Sequence, residues 1–174
     1  MITEISNLSA LSALTESEFR RAMSSFATGV TIVAANDGDD VHAMTASAFM
    51  SGSLSPPLIV ICIGRKSRLH DVLGRTDRFG VSVLRDDQQS VSGHFSRQAS
   101  VQDPPTFVQI HGAPLLETAL AVVSASMEAR FECGDHTLFV GRVLHAASEP
   151  AQQAPLIHYA GKYRHLENPG LLSA

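Results

Sequence analysis

A mainly β fold, a barrel or sandwich decorated by a few short helices, follows from three features of the sequence. β-rich or alternating segments recur along most of the chain, helical patterns are few and short, and turn residues separate them. No internal repeat, low-complexity tract or linker breaks the 174 residues. One domain over 15–168 is therefore expected, with a flexible, loose arm at 1–14 and a short tail at 169–174.

The elements follow in order. Thr15 to Phe26 reads as a helix, because Thr15 and Glu18 form a capping box. Phe19, Ala22, Met23 and Phe26 then fall on one apolar face, and Gly29 ends the pattern. Val30 to Ala35 is β-rich, and Asn36-Asp37-Gly38-Asp39-Asp40 is a turn. Val41 to Phe49 and Leu58 to Ile63 are the next strands, split by Pro56-Pro57, where the chain must leave the sheet because proline cannot donate to a ladder. Ser67 caps a short helix through Leu73, ended by Gly74.

Phe79 to Leu84 is a strand, Asp86 or Asp87 caps a helix to Phe95, and Ser96 to Pro105 is a loop. Ala119 to Glu132 carries the cleanest alternation. Val123, Ala125, Met127, Ala129 and Phe131 point one way, with Ser124, Ser126, Glu128, Arg130 and Glu132 on the other. Gly134-Asp135 turns the chain into a strand from His136 to Leu144, and Leu156 to Tyr159 is a last short strand.

Composition excludes several classes. A hydrophobic content of 44% and a charged content of 17% describe a folded chain. A net charge of −4 argues against a nucleic-acid partner. The longest apolar run, Leu58 to Ile63, is too short to span a bilayer, and 1–14 lacks the pattern of a secretory signal. A cytoplasmic protein is expected, with Cys62 and Cys133 as reduced thiols. No Gly-x-Gly pair, Cys-x-x-Cys, His-Glu-x-x-His or Gly-x-Ser-x-Gly occurs, so no Rossmann, Walker, zinc or hydrolase motif is present, and no metal is expected.

Four constellations carry chemistry. Met44 to Leu58 holds five hydroxyls, at Thr45, Ser47, Ser51, Ser53 and Ser55. The run reads either as a solvent-facing edge strand or as a cradle whose hydroxyls and main-chain N–H groups take a phosphate beside a flat ring. Arg65-Lys66-Ser67-Arg68 is either a solvated basic loop or an anion site formed with the helix start at Ser67. These two stretches lie one strand apart, which makes them neighbours in an antiparallel sheet. His136, just after a turn, is either a structural surface residue or projects over a pocket, oriented by Asp135 or a backbone carbonyl. His158 to Arg164 gathers both tyrosines, Tyr159 and Tyr163, with Lys162 and Arg164, and reads either as a closing strand with a snorkelling edge or as part of a site.

The segments Phe19-Arg20-Arg21-Ala22-Met23, Phe26-Ala27-Thr28-Gly29-Val30, Met44 to Phe49, Leu54-Ser55-Pro56-Pro57-Leu58, Phe79 to Leu84, Gly134-Asp135-His136-Thr137-Leu138-Phe139 and Gly161-Lys162-Tyr163 resemble the short-chain NAD(P)H:flavin oxidoreductases. The resemblance runs over Phe19 to Leu166. Asp40-Val41-His42 and the loop from Phe95 to Pro105 look closest to the reductase components of styrene or indole monooxygenases.

The resemblance implies an FMN-binding split β-barrel (a Greek-key barrel) and a homodimer with flavin sites near the subunit interface. It implies an exchangeable FAD or FMN, reduced by NADH or NADPH, with reduced flavin diffusing to a partner monooxygenase. Carried onto this sequence, backbone N–H groups of Met44, Thr45, Ala46, Ser47, Ala48 and Phe49 would face the ring. Ser47, Ser51, Ser53, Lys66 and Ser67 would hold phosphate. Cys62, Ile63 and Gly64 would lie along the flavin, and Phe95 would close over it. His136, the implied catalytic residue, would face the nicotinamide with Tyr159, Tyr163 and Arg164. Ala43 stands where the family often has Gly, and Gly64 stands where Asn or Asp is common, which removes a side-chain contact to the flavin. The loop at 96–105 is shorter than in many relatives. The rival readings are a flavoprotein of the same fold reducing another acceptor, a non-catalytic flavin-binding module, and a barrel for an apolar ligand.

Overall fold

The computed structural model describes residues 14–96, 105–148 and 153–166. The expected arm before residue 14, the tail from 169 and most of the 96–105 loop lie outside these residues. Helix α1 (Glu16–Met23) starts as expected. The Thr15 hydroxyl accepts from the Glu18 N–H, and the Glu18 carboxylate accepts from the Thr15 N–H at 2.9 Å. It ends at Met23, three residues early, and its apolar face is not buried among the described residues: Phe19, Met23 and Phe26 are all exposed, Phe26 at 74%.

After the two-residue strand β1 (Thr28–Gly29) come β2 (Thr31–Asp37) and β3 (Asp40–Ala46), joined by a tight turn at Gly38. The single strand expected over Val41 to Phe49 is broken at Ser47-Ala48, and β4 (Phe49–Leu54) begins beyond it. Pro56 and Pro57 do not separate unrelated strands. Ser55-Pro56 is the turn of a hairpin between β4 and β5 (Pro57–Gly64), with Pro57 as the first strand residue, where its missing N–H costs no ladder bond. Helix α2 (Arg68–Arg75) is followed by β6 (Arg78–Val83) and α3 (Gln89–Phe95). Gln88, rather than Asp86 or Asp87, stands at the start of α3, and its side chain caps no helix N–H.

A hairpin absent from the sequence reading follows: β7 (Phe107–Ile110) and β8 (Ala113–Leu116), turned by His111 and Gly112, both at positive φ. The long strands β9 (Ala121–Cys133) and β10 (His136–Ser148) pair as expected, with β10 running four residues further. Neither of the two alternating faces keeps one environment along β9: Phe131 of the apolar set is exposed, and Ser124 of the polar set is buried. Burial is high on both faces near Ser124 and low on both near Phe131, so alternation alone does not set burial at either end. The expected last strand is present as β11 (Ile157–Tyr159), and it pairs in a hairpin with β12 (Lys162–Arg164) that turns at Ala160-Gly161.

Seven strands form one sheet in the order β3-β2-β6-β9-β10-β5-β4. Its two edges, β3 and β4, are consecutive in the chain, so residues 47–48 carry the backbone from one edge to the other. The architecture is mostly β-sheet with few helices, consistent with a split-barrel-like fold. From Thr31 to Ala35 every residue of β2 is buried. Val33 and Ala35 join a core with Phe79, Ile61, Phe139 and α2, whereas Ile32 joins a second core with Leu84, Leu116 and Leu156. Burial on both faces explains why β2 reads as a continuous apolar run. Phe79 and Phe139 are fully enclosed, each contributing about 1.5–3 kcal/mol of transfer free energy. Close approach fixes two glycines: a Cβ at Gly80 would lie 2.2 Å from the Pro114 carbonyl oxygen, and one at Gly141 would lie 2.5 Å from the Phe79 ring.

Candidate functional site

A cavity of about 480 Å³ opens along the edge strand β3, between the start of α2 and the end of α3. His42, Ala43, Met44 and Thr45 line it from β3, Lys66 to Leu69 from the α2 entry, and Phe95 and Ser96 from α3. Because β3 has, among the described residues, a strand partner only on its β2 side, its outer row of N–H and C=O groups can bond a ligand. A flat heterocycle with donors and acceptors on its rim matches that edge.

The α2 end of the cavity is cationic. Lys66 and Arg68 flank Ser67, which caps the helix. The Ser67 hydroxyl donates to the Gly64 carbonyl at 2.9 Å and accepts from the His70 N–H at 3.2 Å. Its bonds are therefore used within the cap. The groups left for an anion are the Lys66 ammonium and the first N–H groups of α2, which have no partner inside the helix. The donor set fits a phosphate-bearing flavin: a backbone edge for the ring at one end and a cationic helix start at the other.

Polar ties hold α3 over the cavity. The Thr45 hydroxyl donates to the Ser92 carbonyl at 2.7 Å, and the Ser92 hydroxyl shares a 2.8 Å bond with the Tyr163 hydroxyl. The Gln88 amide donates to the Thr118 carbonyl at 3.0 Å, and its oxygen accepts from the Arg85 N–H at 2.9 Å. Phe95 is set edge-on to Phe107, with ring centres 5.8 Å apart.

His136 lies beside this cavity, at the start of β10. Its Nδ1 is 2.8 Å from Asp135 Oδ1, and a Cβ on Gly64 would stand 3.5 Å from its Nε2. The Arg65 N–H donates to the Asp135 carbonyl at 3.0 Å, so the turn carrying His136 is fastened to the loop that lines the cavity. His136, and more weakly Lys66, hold the Asp135 carboxyl below the usual carboxylate range.

Of the residues singled out from sequence, Met44, Thr45, Lys66, Ser67 and Phe95 meet in the cavity, and Gly64 and His136 meet beside it. Ala46 is buried at the end of β3, next to the exposed Ser47 and Ala48. Phe49 packs on the core, whereas Ser51 and Ser53 lie on β4 at the opposite edge of the sheet. The Ile63 side chain is fully buried, so only its backbone can face a ligand. Cys62 is half-buried on β5, and burial pushes its thiol up. Tyr163 turns inward to Ser92, while Tyr159 and Arg164 are exposed on their hairpin. Leu69 is a lining residue not singled out from sequence, Arg68 entered as part of the basic run, and His42 and Ser96 entered only within segments quoted for the resemblance. Period-2 spacing back from Met44 marks His42, and the basic run contains Arg68. Among the described residues no cluster of metal-ligating side chains occurs, and no helix is long and apolar enough to cross a membrane.

Known proteins match this chain over nearly its whole length. A family model described as "Flavin reductase like domain" matches residues 23–167. An NADH-dependent flavin reductase of Rhodococcus sp is 41% identical over 157 residues, which is 88% of each chain. The flavin reductase PheA2 in its native state superposes with a TM-score of 0.85 at 35% identity, covering 89% of this chain and 100% of that one. The styrene monooxygenase flavin reductase of Pseudomonas putida S12 does so at 0.79 and 36%, covering 87% and 98%. The matched span takes in the β3 edge, the α2 entry and the His136 turn, and the chain belongs to the flavin reductase-like family, related to the reductase components of two-component monooxygenases.

Proposed function

We propose that this protein is an NADH-dependent flavin reductase that binds FAD or FMN reversibly along β3 and releases it reduced for a partner monooxygenase. The observation that carries the reading is the cavity itself: a free strand edge at one end and a cationic helix start at the other, with His136 at its side. A bound flavin supplies the acceptor for hydride from a dihydronicotinamide. The protein's part is positional. Backbone donors of β3 orient the ring and stabilise charge developing on it. Lys66 and the α2 N–H groups hold the phosphate. Phe95 excludes water from one side, and His136, steadied by Asp135, meets the nicotinamide. No dinucleotide-binding glycine motif is needed if NADH visits only transiently. The free thiols Cys62 and Cys133 suit a reducing cytoplasm.

A homodimer accompanies this reading. Phe19, Met23 and Phe26 on and after α1, and Met50 and Leu54 on β4, leave large apolar side chains in water, Leu54 at 93% exposure. A second copy covering them is the economical explanation. Light scattering coupled to size exclusion tests it: a dimer is expected, and a monomer at micromolar concentration refutes it.

The activity is tested by following NADH oxidation while the flavin concentration is varied, then diluting the protein and asking whether flavin leaves. Saturable oxidation with flavin lost on dilution is expected. Stoichiometric flavin retained through turnover would contradict release. Flavin binding without NADH oxidation would instead favour a non-catalytic module.

A further inference from the structure

Resting on the reading of His136 as the residue that meets the nicotinamide, we infer that Gly64 is its positioning residue: the missing side chain at 64 lets the imidazole lean across β5, toward the loop that enters the cavity.

The backbone does not call for glycine at this position. Gly64 is the last residue of β5, and it is not among the glycines held at positive φ. Glycine weakens a strand, and where it stands in one it often marks the close approach of another group. Here that group is a single side chain. The three heavy atoms nearest to an added Cβ all belong to the His136 ring, Nε2 at 3.5 Å, Cδ2 at 3.8 Å and Cε1 at 3.9 Å.

The pairing of the strands explains the approach. Gly64 and His136 stand directly opposite each other in the β5–β10 ladder. The Arg65 N–H donates to the Asp135 carbonyl at 3.0 Å, which makes theirs a non-hydrogen-bonded pair, the kind whose facing side chains come closest. A side chain on a strand ordinarily stands up from the sheet. Opposite a glycine, the ring can lie over the neighbouring strand instead.

Two further contacts fix that lean. Asp135 Oδ1 holds Nδ1 at 2.8 Å, which leaves Nε2 as the ring nitrogen open to a ligand. The Gly64 carbonyl accepts from both the N–H and the hydroxyl of Ser67, at 3.1 and 2.9 Å. The seat of the ring is thereby fastened to the start of α2, beside Lys66 in the cavity wall. One glycine thus registers the nicotinamide-side residue against the anion-binding end of the site. The seat admits a methyl group, since a Cβ at 3.5 Å makes ordinary contact with the ring. The γ atoms of a branched side chain compete with the imidazole for the same face and set it upright.

The test is a double-mutant cycle on the KM for NADH at saturating FAD, with proton NMR of the flavin-free protein alongside it. The wild type is expected to show Overhauser contacts between the His136 ring protons and the α-proton of residue 64. Gly64→Val is expected to lose them and to raise the KM for NADH about fivefold, while kcat changes by less than about twofold. Gly64→Ala is expected to keep the contacts and to change KM by less than about twofold. In a His136→Ala background, Gly64→Val is expected to add less than about twofold, because the ring it displaces is already gone. Gly64→Thr serves the same purpose should the Val variant fail to fold. An unchanged KM in Gly64→Val, an equal penalty in both backgrounds, or a raised KM with the ring contacts intact would each overturn the inference while leaving His136 in its role. A His136→Ala variant with an unchanged KM for NADH would overturn the reading of His136 and this inference with it.

Discussion

The hydroxyl of Thr45 donates to the carbonyl of Ser92 at 2.7 Å, and this one bond ties the strand that lines the cavity to the helix that covers it. The Ser92 hydroxyl then passes the tie to Tyr163 at 2.8 Å. Three distant segments of the chain thereby set the position of Phe95 over the cavity mouth.

Replacing Thr45 by Val keeps the shape and deletes the bond. About 1 kcal/mol of stability should be lost, because the Ser92 carbonyl keeps only its helical partner. FAD affinity should fall as well, since the Phe95 end of α3 is no longer fixed. Denaturant unfolding and a fluorescence titration check the two effects, and an unchanged midpoint would refute the role of the bond.

Asp135 and His136 should separate hydride-donor recognition from flavin recognition. His136→Ala is expected to raise the KM for NADH about tenfold while FAD affinity stays near that of the wild type, a loss of about 1.4 kcal/mol. Asp135→Asn should have a smaller effect in the same direction, because the pair is exposed and Asp135 only orients the ring. Equal losses of NADH and FAD recognition in His136→Ala would assign the residue to the framework instead.

Lys66 is the charge best placed for a phosphate. Lys66→Ala should weaken FMN binding about tenfold and leave riboflavin binding unchanged. Comparable weakening of both ligands would remove Lys66 from phosphate recognition.

Acid stability should report the Asp37–Arg75 pair. The folded-state carboxyl of Asp37 lies below its usual range because Arg75 hydrogen-bonds its ionised form. Its stabilisation is therefore complete above the unfolded carboxylate pKa of about 3.9 and lost as pH falls through the lower folded value. Asp37→Asn should lower the Tm at pH 7, and the gap from the wild type should close toward pH 2–3. A gap independent of pH would contradict this.

Local signals were enough for much of this fold. The Thr15–Glu18 box, the Ser67 cap and the β9–β10 pairing were legible because each depends on residues close in sequence or on plain alternation. The β7–β8 hairpin was hidden, because Pro114 inside β8 and His111 at positive φ disguise a strand and its turn. The α1 face was legible as apolar, yet nothing local says that the described residues leave it uncovered. For the site, Met44, Thr45, Lys66, Ser67 and Phe95 were found by residue type. His42 entered only through the resemblance, because the cavity it lines is assembled from segments far apart in sequence. The inward turn of Tyr163 depends equally on a partner far away in sequence.

The most direct test of the central claim is anaerobic stopped-flow absorbance, mixing the protein and NADH with FAD or FMN and following the flavin's visible band. Bleaching that depends on the protein and saturates with flavin is the predicted result. Flavin that binds yet stays oxidised under excess NADH would contradict it.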